Sequence, residues 1–394
     1  MVAIAVVSMS LVAYAGATQR TRTPATRSDA ITASLPTWGT FAPPGFGEVA
    51  FAPDGAMYVS DCGNARIYRI SPTGHTSVFA GSGPGGFVQW QKVHHLGWVA
   101  VASYGGDGRH PTDALFNCTV GITFDAAGDM FIADHGNSRI REIDTLGFVS
   151  TVAGVGPGAT WGGPWTPGIG PEAGDGGPAV QGIFDGPWGI AFDPAGNLYI
   201  ADRDHQAIRR IDTNGILTTV AGTGRHGYNG DGREATTAKL NRPIQVAFHA
   251  GALYITDENN YRIRRVNNAG MISTVAGNGH HGCGGDGGPA VDASMKDPGD
   301  IVFAPDGSLL ISDGECFRVR RVAPDGTITT FAGNGQHGCG GVGRSVSKLR
   351  IGGDVALRYG PDGDLYIVDC NRIIRVDDAG ITHLVATAPK KIPH

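Results

Sequence analysis

The chain has 394 residues, with 31 Lys+Arg against 36 Asp+Glu for a formal net charge of −5, so neither a nucleic-acid-binding stripe nor an anionic-membrane surface is implied. Hydrophobic residues make up 41% and charged residues 17%, and with no apolar run of about 18 residues past which a polytopic membrane protein begins, that class is excluded. Val, Ile, Leu and aromatics recur along the whole length, which excludes disorder. Gly contributes 63 residues without collagen periodicity, a pattern of tight turns between short strands: an all-β chain.

In chain order, Val2–Ala17 is apolar and small, and Ala13-Tyr14-Ala15 and Ala15-Gly16-Ala17 both fit small-x-small cleavage sites. Residues 1–17 therefore read as a secretory signal, although no Lys or Arg precedes Arg20 to make its basic start. Residues 18–37 read as a flexible lead-in rich in Thr, Ser, Ala and Arg.

From residue 38 a repeat takes over. The run from Gly47 to Asp61, with Pro53-Asp54-Gly55 at its centre, returns as Gly121–Asp134 and again ending at Asp202, Asp257, Asp313 and Asp369. These aspartates are 73, 68, 55, 56 and 56 residues apart. After each comes an Arg-rich strand, a Gly turn and a Thr-Val-Ala-Gly-like strand such as Thr151–Gly154 or Thr274–Gly277. Each unit thus holds four short strands, the first pair joined by a turn in which Pro presets φ and Gly takes the left-handed position. Six such units, none able to bury both faces alone, predict a six-bladed β-propeller of four-stranded antiparallel blades over residues 38–388, with 389–394 as a tail. The pattern resembles the NHL repeat and covers residues 46–388. For ring closure, Trp38–Ala42 resembles an outer strand, yet blade six already has one at Thr382–Ala386.

The six cysteines form no CxxC pair. Cys283 and Cys339 occupy equivalent Gly-x-His-Gly-Cys-Gly-Gly loops, with Cys316 and Cys370 following at 33 and 31 residues in turns between second and third strands. This predicts homologous bridges Cys283–Cys316 and Cys339–Cys370 and leaves Cys62–Cys118 as a third pair, against the alternative of free thiols. Three Gly-x-Gly-x-x-Gly matches, beginning at Gly222, Gly277 and Gly333, follow strands but open no helix, so they are repeat loops and not dinucleotide sites. Gly-Asp-Gly recurs at Asp107, Asp175, Asp231 and Asp286 and reads as an Asx turn. Arg66, Arg139, Arg209, Arg264, Arg320 and Arg375 read as blade-surface packing.

Three features point toward function. At the entry of the channel-lining first strand, where Gly121 and Gly189 stand in blades two and three, the other blades carry Glu48, Gln245, Asp300 and Asp354. Carboxylates sharing one mouth repel each other and favour a cation, either calcium or an amine; the plain alternative is a wet polar channel. His226, His281 and His337 hold one position in three successive loops and form a candidate zinc or copper set, against simple inheritance within the repeat. The long connections 82–119 and 155–187 carry Trp90, Trp98, Trp161 and Trp165, which with Trp188 at the third strand entry suit a protein or glycan surface, or a local core.

Some propellers with these repeats are amidating lyases, and that resemblance implies metal histidines at the strand entries. Here those places hold Gly47, Val120, Trp188, Ile244, Gly299 and Gly353, so none carries over. The expectation is a secreted or periplasmic binding module without nucleic-acid partner or membrane span. The alternative is a metal-dependent lyase or hydrolase at the channel mouth, with Glu48, Asp300 and Asp354 as catalytic candidates and calcium or zinc as cofactor.

Overall fold

A computed structural model describes residues 47–71, 75–82, 104–156, 173–353 and 355–387, and the backbone of three short strands at Ala33–Ser34, Gln89–Val93 and Gly97–Val101. Six antiparallel sheets form, each with its four strands in chain order. Blade two is representative, with strands Thr119–Phe124, Met130–Asp134, Arg139–Ile143 and Val149–Ala153. The alternation of apolar residues along each strand makes both faces of a blade need cover. Accordingly the core is divided among six clusters, each shared by neighbouring blades.

The turn chemistry follows the sequence. Gly55, Gly307 and Gly363 close the Pro-Asp-Gly turns at φ +82°, +81° and +83°. The Gly that ends the fourth strand has a different task. Gly154, at φ +95°, lies where a Cβ would stand 2.5 Å from the Ser138 carbonyl oxygen, so the chain can leave the blade only through a residue without a side chain.

Closure needs no exchange of strands between blades one and six. Blade six has its own outer strand, Thr382–Thr387, and Ala33–Ser34 pairs with it in parallel as a fifth. Trp38–Ala42 lies outside the described residues. The seam between blades six and one is sealed by Val49, Val59 and Tyr68 against Tyr366, Val368 and Ile373, with Phe51 edge-on to Tyr366 at 5.0 Å.

The arginines correct the reading of surface packing. Arg141, Arg209, Arg264 and Arg320 are fully buried. In blade two the buried residue is Arg141 and not Arg139, because adjacent strand residues face opposite ways. Arg264 donates from Nη1 to Asp257 at 3.4 Å and from Nη2 to Asp231 at 2.8 Å. Arg209 does the same with Asp202 and Asp175, and Arg141 with Asp134 and Asp107. The Gly-Asp-Gly loops are therefore more than turns: each carries the carboxylate that meets the buried guanidinium of the next blade. Blade six lacks both partners at once. Val342 replaces the loop Asp, Ile374 replaces the Arg, and the two belong to one apolar cluster.

The three bridges form as expected, Cys62–Cys118, Cys283–Cys316 and Cys339–Cys370. Two staple an inter-blade connection to the blade it enters, and the first ties blade one to the entry of blade two.

Two predictions follow from this framework. Thiol titration of the unfolded, unreduced protein should find no free sulfhydryl. Arg264→Ile alone leaves the buried Asp257 without its guanidinium and frees the exposed Asp231, and should cost about 3–5 kcal/mol. The pair Arg264→Ile with Asp231→Val, which copies blade six, should recover most of that in urea-unfolding midpoints.

Candidate functional site

The first strands of blades two to five break register at their entries, between Thr119 and Ile122, Pro187 and Ile190, Pro243 and Gln245, and Pro298 and Ile301. Such a bulge re-aims side chains, here into the channel mouth. Glu48, Gln245 and Asp300 meet there as the sequence suggested, while Asp354 lies outside the described residues.

The contact is a linked girdle. The Gln245 amide nitrogen donates to Glu48 Oε1 across the ring and to Asp300 Oδ1 at 2.9 Å. Glu48 Oε2 accepts the Ile122 NH of blade two at 2.8 Å, and Asp300 Oδ2 accepts the Leu357 NH of blade six at 2.6 Å. The Gln245 orientation is set by its own oxygen, which accepts the Val246 NH at 2.9 Å. Gly189 makes this possible, since a Cβ there would collide with the Gln245 oxygen. Arg358 lies 3.6 Å from Glu48 and donates to the Val49 carbonyl at 2.9 Å, tying blade six to blade one.

Burial pushes Glu48 up to about 7, with Asp300 adding to the rise and Arg358 opposing it. Burial also raises Asp300, again opposed by Arg358. Donors of Gln245 and three peptide NH groups, of Ile122, Leu357 and Ile301, point at these carboxylates, the reverse of what a calcium ligand set presents. Among the described residues no three His, Cys, Asp or Glu side chains gather as metal ligands.

The girdle residues line a pocket. Its apolar lining comes from Val120, Trp188, Ile244, Val355 and Ala356, with Gly47 and Gly299 at two of the strand entries. Trp188 packs edge-on against His135 at 4.8 Å, with the Arg203 guanidinium 4.7 Å from its centre. Two further acids, Glu258 and Asp297, line the pocket and were missed in the sequence. Burial lifts Glu258 to about 7, with Arg242 opposing and Asp297 and Asp204 adding. Comparing the residue after each anchor aspartate would have found it: Cys62, His135, Arg203, Glu258, Gly314 and Cys370.

The three histidines lie in the inter-blade connections. His226, His281 and His337 form equivalent bridges to Leu240, Met295 and Ile351 in successive connections. His281 and His337 pack edge-on against Tyr261 and Phe317. Trp90 and Trp98 lie on a backbone hairpin, Gln89–Val93 with Gly97–Val101, that the sequence reading took for loop. Trp161 and Trp165 lie outside the described residues.

Replacing Gln245 with Leu removes the donor between two buried carboxylates while keeping its bulk. The variant should lose about 2 kcal/mol or more at pH 8, on the scale of an unpaired buried polar group. At pH 5, below the raised Glu48 value, a protonated carboxyl can donate instead, so the loss should shrink. Equilibrium unfolding at the two pH values measures the difference.

Comparison with known proteins bears on the fold and the repeat. A family model described as the Teneurin NHL domain matches residues 159–229. Mouse Teneurin-1 is 28% identical over 294 residues, covering 68% of this chain and 10% of its own length. Teneurin-m of Drosophila melanogaster is 27% identical over 225 residues, 52% of this chain and 8% of that protein. The chain thus spans about a tenth of the curated relatives it matches. Among solved structures, a streptogramin B lyase has TM-score 0.50 at 12% identity, covering 90% of this chain and 87% of the other. An auxiliary nutrient binding protein from Bacteroides ovatus has TM-score 0.52 at 16% identity, covering 85% and 68%. At these identities the structures show the fold alone. The repeat in the residues, the ring it builds and the sequence relatives agree: this chain is an NHL-repeat six-bladed β-propeller.

Proposed function

We propose that this propeller is a recognition module on the extracellular side of a membrane, whose channel mouth receives the cationic end of an amphipathic ligand. NHL propellers serve as binding modules, and three disulfides are consistent with an extracellular domain. Export through the apolar segment Val2–Ala17 belongs to the same reading. The observation that carries the ligand class is the pocket's mixed lining. Apolar Val120, Trp188, Ile244, Val355 and Ala356 share it with the acids Glu48, Asp300, Glu258 and Asp297. Arg358 and Arg242 answer two of them, at 3.6 and 3.5 Å, which leaves a formal excess of two negative charges when all four are ionised. A primary ammonium on an aromatic or aliphatic body suits both kinds of lining, the ring against Trp188 and the charge among the carboxylates. A lysine side chain of a protein partner presents the same group.

Calorimetric titration with phenethylammonium and with phenylpropionate, its anionic counterpart, tests this. Only the ammonium should bind. It stays charged across the range, near the usual amine value of about 10, whereas Glu48 and Glu258 ionise as pH passes about 7. Its affinity should therefore rise roughly tenfold, about 1.4 kcal/mol, between pH 5.5 and pH 8. Glu258→Gln should flatten that rise. Equal binding of both compounds, or of neither, contradicts the reading.

One observation favours a second reading, a lyase or hydrolase at the same mouth: a carboxyl raised to about 7, as Glu48 is, suits general acid–base work. Turnover of a lactone or ester that vanishes in Glu48→Gln would support it.

A further inference from the structure

The connection into blade six departs from the one before it in charge. Residues 277–295, entering blade five, contain Asp286 and Asp292 and no Lys or Arg, a formal −2. The equivalent residues 333–351 contain Arg344, Lys348 and Arg350 and no acid, a formal +3. Position by position, Val342 stands for Asp286, Arg344 for Gly288, Lys348 for Asp292 and Arg350 for Ser294.

The first of these changes is explained by the fold, because Val342 matches the loss of the buried arginine. The three cations are not. All are exposed. Other cations of blade six are paired, Arg372 with Asp369, Arg375 with Asp364 and Arg358 with Glu48. Among the described residues Arg344, Lys348 and Arg350 form no ion pair, and like charges so close in sequence repel when nothing neutralises them.

The loop is also held rigidly. The Arg344 carbonyl accepts the Thr382 NH at 2.9 Å, the Val346 NH donates to Gly380 at 2.8 Å, and the Arg350 NH donates to Gly340 at 2.9 Å. Cys339–Cys370 staples its start to the blade. Arg344 and Arg350 are separated by at most about 20 Å of chain, so three exposed cations stand on one short loop whose fixed backbone leaves little ordering entropy to oppose binding.

We propose that Arg344, Lys348 and Arg350 form a docking surface for an anionic polysaccharide chain. Three disulfides are consistent with an oxidising extracellular setting, where polymeric anions of this kind are typically carbohydrate. Exposed hydroxyls of Ser345 and Ser347, 3.1 Å apart within the same loop, add hydrogen-bonding groups suited to a hydroxylated polymer. The surface is separate from the pocket, and the proposal stands whether or not an ammonium binds there.

Binding of three probes, measured from 50 to 300 mM NaCl, tests it: a heparin oligosaccharide, an oligogalacturonate and an oligoglutamate peptide. The native protein should bind at least one polysaccharide, heparin alone pointing to sulfate and both to anionic charge of either kind. The triple variant Arg344→Ser, Lys348→Ser, Arg350→Ser should bind at least tenfold more weakly. Its slope of log K against log salt should be shallower by about 2, from about 0.7 per lost contact with a single-stranded polyanion. Lys348→Asp, which copies the preceding loop and so keeps the fold, should weaken binding on its own. Arg225→Ser with Lys239→Ser, in the connection to blade four, should leave it unchanged. Equal binding by the triple variant, no polysaccharide bound at 50 mM NaCl, or tighter binding of oligoglutamate would overturn the proposal.

Discussion

The buried aspartate that ends each second strand is the group on which this propeller's geometry depends. Its Oδ1 takes the backbone NH of the incoming connection, Asn117 to Asp134, Asp185 to Asp202, Asn241 to Asp257, Lys296 to Asp313 and Gly352 to Asp369, at 2.7–3.0 Å. In blades two, three and four its Oδ2 takes a side chain of the following turn, Asn137, His205 and Asn260. In blades two to five it also faces the buried guanidinium that reaches on to the Gly-Asp-Gly loop. One carboxylate thus joins the arriving chain, the turn and the blade face. Isolated in the interior such a charge would be costly, and the surrounding donors offset that cost, except at Asp313, whose Oδ2 has, among the described residues, only Arg320 Nη1 at 3.5 Å. Blade six shows which part is dispensable: Asp369 keeps its Gly352 contact and takes its guanidinium from Arg372 at 3.0 Å, while apolar Val342 and Ile374 replace the link to the loop aspartate.

That framework determines where function can reside. Because the anchor aspartates hold every connection at the same end of the ring, the strand entries converge on one mouth. The side chains there escape the repeat's constraints and can differ between blades. The girdle of Glu48, Gln245 and Asp300 uses this freedom to link five blades through hydrogen bonds, with Arg358 closing the seam. The pocket uses it differently, placing bulk on blades two to four and leaving glycine on blades five and one. Architecture and chemistry are thereby separated, the first repeated and the second written into a few positions per blade.

Much of this was legible in the residues. The anchor spacing revealed the ring, the equivalence of Cys283 with Cys339 revealed the bridges, and the loss of Gly at strand entries exposed Glu48, Gln245 and Asp300. What escaped has physical reasons. An Arg-x-Arg strand does not say which arginine turns inward, and burial of a guanidinium runs against composition, so Arg139 was named where Arg141 is buried, and Arg209, Arg264 and Arg320 passed for surface residues. Asp107 and its equivalents looked like local turns because their partners lie some 34 residues onward. Glu258 was hidden in a turn whose residue changes in almost every repeat. The parallel strand Ala33–Ser34 carries no repeat signature at all.

The most direct test of a cation-receiving mouth is a crystal structure of the protein at pH 8 with phenethylammonium. The account predicts the nitrogen within hydrogen-bond distance, about 3.2 Å or less, of a carboxylate of Glu48, Asp300, Glu258 or Asp297, with the ring against Trp188. A ligand bound elsewhere while this pocket stays empty, or one seated with its ring toward the acids, would contradict it.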